Sequence, residues 1–329
     1  MYKNKLKNNQ SHPFELSLAP IQGITDYTFR KLFEQYFGGI NKYFAPYLRV
    51  DSKGGLSNKQ MRDLLPGNNV GIHVIPQIMA NRPHDFISMC SFLADQGYTE
   101  VNWNLGCPYP MITNRGLGAG LLDKPELTAQ ILDEVLPKIS LNLSIKLRSG
   151  VYNENALASM LQIFNNYPLT EVIIHPRYAK QLYRGMANRN LFAEVLPIST
   201  HPVCYNGDIA SVEDCLQLSE QFPTVKHFMI GRAVISNPFL AAQIQQKNSN
   251  LAFDAKKQFA EFHAALFASY LSQSEGGDKQ VILKMLGFWE YFALSFTNSD
   301  KVYKKFRKAK NKNEYQAAIS EVFANETFI

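Results

Sequence analysis

Cysteine is scarce in this 329-residue sequence, and long hydrophobic runs are absent. Its four cysteines are too few for a disulfide scaffold, and none forms a Cys-x-x-Cys pair or lies at zinc-ligand spacing from a histidine. No stretch approaches the ~18 consecutive apolar residues of a membrane span. Residues 1–14 lack the apolar core of a secretory signal. These absences predict a reduced, cytoplasmic protein with no metal site and no membrane segment.

The composition is that of a folded protein with a slight basic excess. Hydrophobic residues make up 46% of the chain and aromatic residues 12%, which excludes low-complexity disorder. The 34 lysines and arginines against 28 acidic residues give a net charge of +6. This excess alone is weak evidence for a nucleic-acid partner, so the position of the charges matters more.

Short apolar runs alternate with amphipathic helical patterns from residue 16 to residue 245. The predicted strands are 16–20, 42–47, 72–79, 101–105, 143–147, 171–175, 202–205 and 225–230. The predicted helices are 27–37, 84–96, 126–136, 155–166, 191–196, 212–221 and 239–245. Eight strand–helix repeats predict a (β/α)8 TIM barrel, which takes ~250 residues. The alternative is a doubly wound open sheet, but no Gly-x-Gly-x-x-Gly follows the first strand.

The pattern changes around residues 246–250, beyond which only helical periodicity remains. We therefore predict a barrel domain over residues 1–245 and a small all-helical domain over residues 246–329. Apolar stripes at helical spacing predict a bundle core in the second domain. Three stripes are visible, and they begin at Phe259, Ile282 and Tyr315.

Seven of the eight predicted strands end in polar or glycine-containing segments. In a TIM barrel these ends share one face, which carries the active site. The segments contain Ala19, Pro20 and Ile21; Gln77; Asn104; Lys146; His175 and Arg177; Asn206, Gly207 and Asp208; and Gly231 and Arg232. The last two segments follow strands seven and eight, where backbone N–H groups of such barrels commonly bind phosphate. The alternative to a phosphate site is that Gly207 and Gly231 are ordinary turn glycines and that Arg232 is a surface arginine.

Two of these side chains suit the edge of a flavin ring, and His175, which lies beside Arg177, is a candidate site residue. Lys146 lies among apolar residues at a strand end, where a positive charge could stabilise a reduced flavin. Gln77 offers amide donors and an acceptor. Each has an alternative interpretation. Lys146 could extend to solvent, His175 could be structural, and Gln77 could pair with neighbouring polar groups.

Cys107 lies in a Gly-Cys-Pro turn after the fourth strand, whereas the other cysteines fall inside predicted helices or a strand. A thiol with a pKa near 8.5 is mostly protonated at neutral pH, so it can act as a general acid as well as a nucleophile. The alternative is a small turn residue.

These segments resemble those of the tRNA-dihydrouridine synthases. The resemblance follows the family's order from about residue 16 to residue 240, and the Asn-x-Gly-Cys-Pro type of block is its most specific part. The matching segments begin at Ala19, Asn102, Lys146, Ile174, Tyr205 and Met229.

The resemblance implies an FMN-dependent reduction of a flipped-out uridine in tRNA, with NADPH as the reductant. Hydride would reach C6 of the uracil, and Cys107 would protonate C5. Asn104 would orient the uracil or the flavin. The cofactor would be held by Ala19, Pro20, Ile21, Gln77, Lys146, His175, Asn206, Gly207, Asp208, Gly231 and Arg232.

Basic residues without an intervening acid occupy residues 301–312, which fits a tRNA partner. We expect Lys304, Lys305, Arg307 and Lys308 to contact tRNA, together with Arg49, Arg115 and Arg177. No obligate protein partner is implied. Two alternatives remain open: a flavin barrel that reduces a free pyrimidine, which would not need the basic helical segment, and an inactive tRNA-binding homologue, which would not need Cys107.

Overall fold

The structure, a computed structural model, describes residues 14–51, 54–246 and 254–329. The predicted domain boundary at residues 246–250 falls almost entirely on residues 247–253, outside the described part, and the first 13 residues lie outside it as well. The division into two domains therefore stays a prediction. No helix in the described ranges is both long enough and apolar enough to cross a membrane.

Nine short strands, all parallel, form a single sheet within the described residues. They are β1 (Glu15–Leu18), β2 (Lys42–Phe44), β3 (Val74–Ile75), β4 (Gln77–Ile78), β5 (Glu100–Leu105), β6 (Asn142–Arg148), β7 (Val172–His175), β8 (Val203–Asn206) and β9 (His227–Ile230). The strand order is β3-β2-β1-β9-β8-β7-β6-β5-β4. The outermost strands, β3 and β4, are separated only by Pro76, so they are two halves of one segment and the sheet closes into a barrel.

The predicted TIM barrel is therefore confirmed, with one strand broken. The predicted third strand, 72–79, is interrupted at Pro76, which has no N–H to give to a neighbouring strand. The longest ladder joins β5 to β6, from the Glu100–Asn142 pair to the Leu105–Leu147 pair. This register sets Asn104 beside Lys146 at the carboxyl end of the barrel.

Helices cover the outside of the barrel. They are α1 (Tyr27–Tyr36), α2 (Asn58–Asp63), α3 (Pro83–Asp95), α4 (Pro110–Thr113), α5 (Pro125–Val135), α6 (Ala156–Phe164), α7 (Arg189–Val195), α8 (Val212–Gln221), α9 (Arg232–Ser236) and α10 (Leu240–Gln246). Short α2, α4 and α9 were not predicted. Helix α7 begins two residues earlier than predicted, because the Asn188 side chain caps it by accepting from the Leu191 N–H.

Four helices form the C-terminal part: α11 (Ala255–Gln273), α12 (Gly277–Phe292), α13 (Ser299–Lys308) and α14 (Lys312–Asn325). The three apolar stripes correspond to α11, α12 and α14, and the basic segment begins in α13. Trp289 stacks on Phe306 with ring centroids 3.5 Å apart, and its Nε1 donates to the Tyr315 hydroxyl at 2.8 Å. The same hydroxyl is 2.9 Å from Nε2 of the buried His263.

Aromatic packing joins these helices to the barrel. Phe29 of α1 stacks on Phe288 of α12 at 5.6 Å and meets Phe262 of α11 edge-on at 6.0 Å. All three side chains are buried in the core that also contains the barrel strands. The C-terminal helices are therefore held against the β1–α1 side of the barrel by a shared apolar core.

Replacing Phe306 with alanine should remove the stack on Trp289 and leave a cavity in the C-terminal core. We expect Phe306→Ala to lower the free energy of unfolding by about 3–5 kcal/mol, measured by urea denaturation. Lys304→Ala on the exposed side of α13 is the matched control and should change it by less than about 0.5 kcal/mol. A loss below about 1 kcal/mol for Phe306→Ala would contradict this packing.

Candidate active site

The carboxyl ends of the strands open into a cavity of about 840 Å³. Its wall includes every residue that the sequence predicts for the cofactor: Ala19, Pro20, Ile21, Gln77, Lys146, His175, Asn206, Gly207, Asp208, Gly231 and Arg232. Cys107, Asn104 and Arg177 line the same cavity. The structure thus brings together residues that are spread over more than 200 positions of the sequence, on the barrel face where TIM-barrel active sites lie.

One end of the cavity is suited to an anion. Gly231 caps α9 without a side chain, so the first N–H groups of that helix have no side-chain partner. The Arg232 guanidinium lies 4.1 Å above the Tyr183 ring. Gly207 has a φ of +156°, and a Cβ there would come within 2.9 Å of the Ala187 Cβ, so only glycine fits.

Buried amides organise the opposite wall. Asn104 Nδ2 donates to Gln77 Oε1 at 2.7 Å, and Gln77 Nε2 donates to Asn102 Oδ1 at 2.8 Å. Asn104 Oδ1 accepts from the backbone N–H groups of Gly106 and Cys107 at 3.0 and 2.9 Å. Asn104 therefore holds the turn that carries the thiol, and its amide is already engaged by protein groups.

Cys107 is the one partly accessible cysteine, since Cys90, Cys204 and Cys215 are buried. Burial raises the pKa of the Cys107 thiol, although the Tyr109 N–H and the Arg148 charge oppose the shift. The thiol is accordingly protonated at neutral pH, and it faces the cavity. Gly118 packs directly on it, because a Cβ at residue 118 would lie 2.8 Å from the Cys107 Cβ.

Lys146 of β6 is half-buried and reaches past β7 to the end of β8. Its Nζ donates to Asn206 Oδ1 at 2.7 Å, and Asn206 Nδ2 donates to the Met229 carbonyl at 2.8 Å. Burial and the nearby Arg148 charge lower the pKa of Lys146 to about 7. An anionic group bound at this amine would restore its proton.

His175 and Arg177 are linked at the centre of the site. Arg177 Nη1 donates to His175 Nε2 at 3.1 Å, and burial with the surrounding cations holds the pKa of His175 well below its usual value. His175 is therefore neutral, with Nδ1 left to carry the proton. Arg177 Nη2 also contacts both carboxylate oxygens of Asp208 at 2.7 Å and the Gly185 carbonyl at 2.6 Å.

The geometry shows where Arg177, one of the expected tRNA contacts, lies. Arg177 is 2% exposed, and its guanidinium contacts His175, Gly185 and Asp208, so it ties loops together inside the site and its contact with tRNA stays a prediction. The Asp208 carboxylate, which the sequence assigns to the cofactor, is likewise taken up by Arg177 and the Ala187 N–H.

The other predicted tRNA contacts lie outside the cavity wall. Arg49 is half-buried beside it and lowers the pKa of Cys107, while Arg115 is exposed. On α13, Lys304, Arg307 and Lys308 are exposed. Lys305 forms an ion pair with Glu321 of α14, so its charge is partly balanced within the protein.

Sequence reasoning missed several parts of the wall. Arg148 donates to the Leu182 carbonyl at 2.7 Å and lies 5.3 Å from the Tyr183 ring, which therefore sits between Arg148 and Arg232. Helix α12 contributes Leu283, Lys284, Gly287, Glu290 and Tyr291, and the turn after it contributes Leu294. Tyr47, after β2, lies beside the thiol. The apolar spacing of α12 identifies a helix but carries no sign that one face meets the barrel.

A second polar cluster closes the opposite end of the barrel. Ligand atoms of Glu171, Cys204 and His227 lie within 4.8 Å of one another, a grouping that sequence spacing does not reveal. His227 Nδ1 is 2.5 Å from Glu171 Oε1, and its Nε2 is hydrogen-bonded to Ser17 Oγ. Both imidazole nitrogens are thus used within the protein.

A family model described as dihydrouridine synthase matches residues 17–327. The chain belongs to the dihydrouridine synthase family. The match extends through the C-terminal helices as well as the barrel. Dihydrouridine is uridine with two hydrogens added across one double bond, so members of this family are oxidoreductases. The family and the enzyme class predicted from the sequence are confirmed.

Individual relatives of the dihydrouridine synthase family are similar at moderate identity. The tRNA-dihydrouridine synthase B of Pasteurella multocida is 26% identical over 224 residues, which cover 68% of this chain and 66% of that protein. The tRNA-dihydrouridine(16) synthase of Cupriavidus necator is 25% identical over 286 residues, which cover 82% and 87%.

Solved structures support the fold of this family member. A variant of NCR from Zymomonas mobilis has a TM-score of 0.52 at 14% identity, over 74% of this chain and 90% of that one. A morphinone reductase variant in complex with tetrahydroNAD has a TM-score of 0.53 at 8% identity, over 72% and 88%. At such identities the likeness concerns the barrel alone.

The lowered pKa of Lys146 can be measured directly. We expect 13C-dimethylated lysines, followed by NMR, to include one signal with a midpoint of about 7, which is absent from Lys146→Arg. An unfolded lysine keeps its proton up to about pH 10.4. Between about pH 7 and that value this amine is deprotonated only in the folded state, so it makes the folded state more stable as the pH rises. Midpoints above about pH 9.5 for every lysine would contradict the burial of this amine.

Proposed function

We propose that this chain reduces the C5–C6 bond of a uridine in tRNA, with FMN as the bound cofactor and NADPH as the reductant. The observation that carries the proposal is the position of the Cys107 thiol on the wall of a cavity whose other groups suit a flavin mononucleotide. The names of the relatives support tRNA as the substrate. Reduction of a macromolecular substrate by a soluble cofactor pair is consistent with the predicted cytoplasmic location.

The cavity fits FMN in both size and chemistry. Its volume of about 840 Å³ lies within the ordinary range for small-molecule sites and leaves room for a base beside a flavin. Gly207, Gly231 and Arg232 would hold the phosphate, since backbone N–H groups and a fixed cation meet there. Ala19, Pro20 and Ile21 would form the adjoining wall.

The ring of the cofactor would lie toward the amides and the amine. Lys146 would place its charge at the pyrimidine edge, where an anion would raise the depressed pKa of the amine. His175, neutral and with Nδ1 free to donate, and Gln77 would hold the remaining polar atoms of the ring. FMN held by these residues would supply hydride chemistry toward C6 of the uracil, with NADPH as the reductant.

Cys107 supplies the proton in this proposal. Burial keeps its sulfur protonated, so the S–H bond is available for transfer to C5 of the uracil. Asn104 positions the thiol through the backbone of the turn, because its side-chain Oδ1 accepts from the N–H groups of Gly106 and Cys107. A uridine inside a folded tRNA has to leave its stack to reach this wall.

The C-terminal helices would hold the tRNA beside the cavity. Tyr303 of α13 is 3.4 Å from Glu290 of α12, and Glu290 lines the cavity, so the basic helix lies next to the mouth. Lys304 and Lys308 are one turn apart and exposed on this helix. Exposed cations of this kind bind RNA phosphates.

The Cys107→Ala variant tests the role of the thiol. We expect the purified variant to keep the yellow absorption of a bound flavin, to release FMN on denaturation, and to bind tRNA as the unaltered protein does. Dihydrouridine formation, measured by mass spectrometry of digested tRNA, should fall by about 100-fold or more.

Two outcomes would overturn parts of this proposal. Unchanged dihydrouridine formation by Cys107→Ala would remove the thiol as proton donor. An unaltered protein that is colourless and takes up no added FMN would overturn the flavin assignment and favour the inactive tRNA-binding homologue. Cys90→Ala is the matched control, because Cys90 is buried in α3 away from the cavity.

The basic helix makes a separate prediction. The double variant Lys304→Ala/Lys308→Ala should bind tRNA about tenfold more weakly. The slope of the logarithm of the association constant against the logarithm of the salt concentration should become shallower by about 1.5, as expected for two lost phosphate contacts. The control pair Lys138→Ala/Lys226→Ala removes two exposed charges at the opposite end of the barrel and should change neither quantity. Equal effects of the two pairs would argue for non-specific attraction.

A further inference from the structure

Tyr47 reaches the active-site thiol from the loop after β2. Tyr47 and Cys107 both line the cavity, and both pack against the small apolar cluster of Met79, Ile112 and Leu117. The phenol lies close enough to the thiol to lower the pKa of Cys107, and the thiol in turn raises the pKa of Tyr47. The proposed function gives this tyrosine no role.

The backbone beside Tyr47 is pinned to the barrel. The Leu48 N–H donates to the Gln77 carbonyl at 2.7 Å, and the Leu48 carbonyl accepts from the Met79 N–H at 2.9 Å. Strand β4 therefore fixes the position of residue 47. The backbone of Cys107 is held as well, because its N–H donates to Asn104 Oδ1. The phenol and the sulfur are thus both carried by backbone that is held in place.

Opposing influences act on the sulfur. Burial favours the neutral thiol and raises the pKa of Cys107, while four polar or charged neighbours lower it. These neighbours come from three elements: Tyr47 and Arg49 after β2, the Tyr109 N–H from the turn of Cys107 itself, and Arg148 from β6. Burial and the sulfur also raise the pKa of Tyr47, so its hydroxyl stays protonated and can donate.

We propose that Tyr47 is a positioning residue whose hydroxyl donates a hydrogen bond to the Cys107 sulfur and stabilises the thiolate that proton transfer leaves behind. This inference rests on the proposed function for its consequence in catalysis. In that step the S–H bond breaks, and the electron pair at C5 of the reduced uracil forms the new C–H bond. The negative charge remains on sulfur, and a proton from water restores the thiol before the next turnover.

Alkylation of Cys107 by iodoacetamide measures this effect without any turnover. The thiolate is the reactive form, so the rate follows the thiolate fraction as the pH is raised. In Tyr47→Phe the ring stays and only the hydroxyl is lost. We expect the midpoint of the rate profile to move up by about one pH unit, which slows alkylation about tenfold below the midpoint. The rate at high pH should converge on that of the unaltered protein.

The controls distinguish a change in the pKa of the Cys107 thiol from a change in the access of iodoacetamide to it. Tyr109→Phe removes a nearby phenol whose backbone N–H, and not its hydroxyl, contacts the sulfur, so its profile should match that of the unaltered protein. Mass spectrometry of the peptide containing Cys107 confirms the site, since the other cysteines are buried. A Tyr47→Phe profile with an unchanged midpoint would overturn the inference, as would a change confined to the high-pH plateau.

Activity provides an independent readout. In Tyr47→Phe, reduction of the bound flavin by NADPH should be unchanged, while the reaction of the reduced enzyme with tRNA should slow about tenfold. Slowing of both half-reactions alike would indicate a structural role and overturn the inference. If the midpoint shifts but Cys107→Ala still forms dihydrouridine, the hydrogen bond stands and the proposed function of the thiol fails.

Discussion

Closure of the barrel at the segment containing Pro76 is the constraint on which the rest of the structure depends. β3 pairs with β2 on one side and β4 pairs with β5 on the other, so a single segment completes the ring. All the strands are parallel, and their carboxyl ends therefore meet at one rim. Gln77 lies in this closing segment, and its amide joins Asn102 and Asn104 of the next strand. The segment that closes the fold also anchors the turn of the thiol.

The rim carries more positive than negative charge. Lys146, Arg148, Arg177 and Arg232 all lower the pKa of His175, and Asp208 is the acid paired with this group. Gathering cations in a partly buried site costs free energy, which the lowered pKa values of Lys146 and His175 express. Such sites frequently bind anions, because a bound anion removes the repulsion. A phosphate and the reduced ring of a flavin both meet that description.

The C-terminal helices take part in the site instead of standing apart from it. Lys284 of α12 donates to the Gly23 carbonyl at 2.5 Å and to Asp26 at 2.7 Å, and Tyr270 of α11 donates to the same carboxylate at 2.7 Å. Residues 19–24 of this loop line the cavity. The helical region that we propose to hold tRNA thus also shapes the wall of the cavity that we propose for the cofactor.

The sequence by itself determined the barrel, the order of its strands and the residues at their ends, because strand periodicity and terminal motifs are local properties of the chain. Only the tertiary structure decided which of those side chains are already engaged. Arg177 belongs to the interior because it meets Asp208 across two loops, and Tyr47 meets Cys107 because β2 and β5 converge on one rim. Contacts between residues 31 or 60 positions apart depend on strand register and on packing angles, which no local pattern contains.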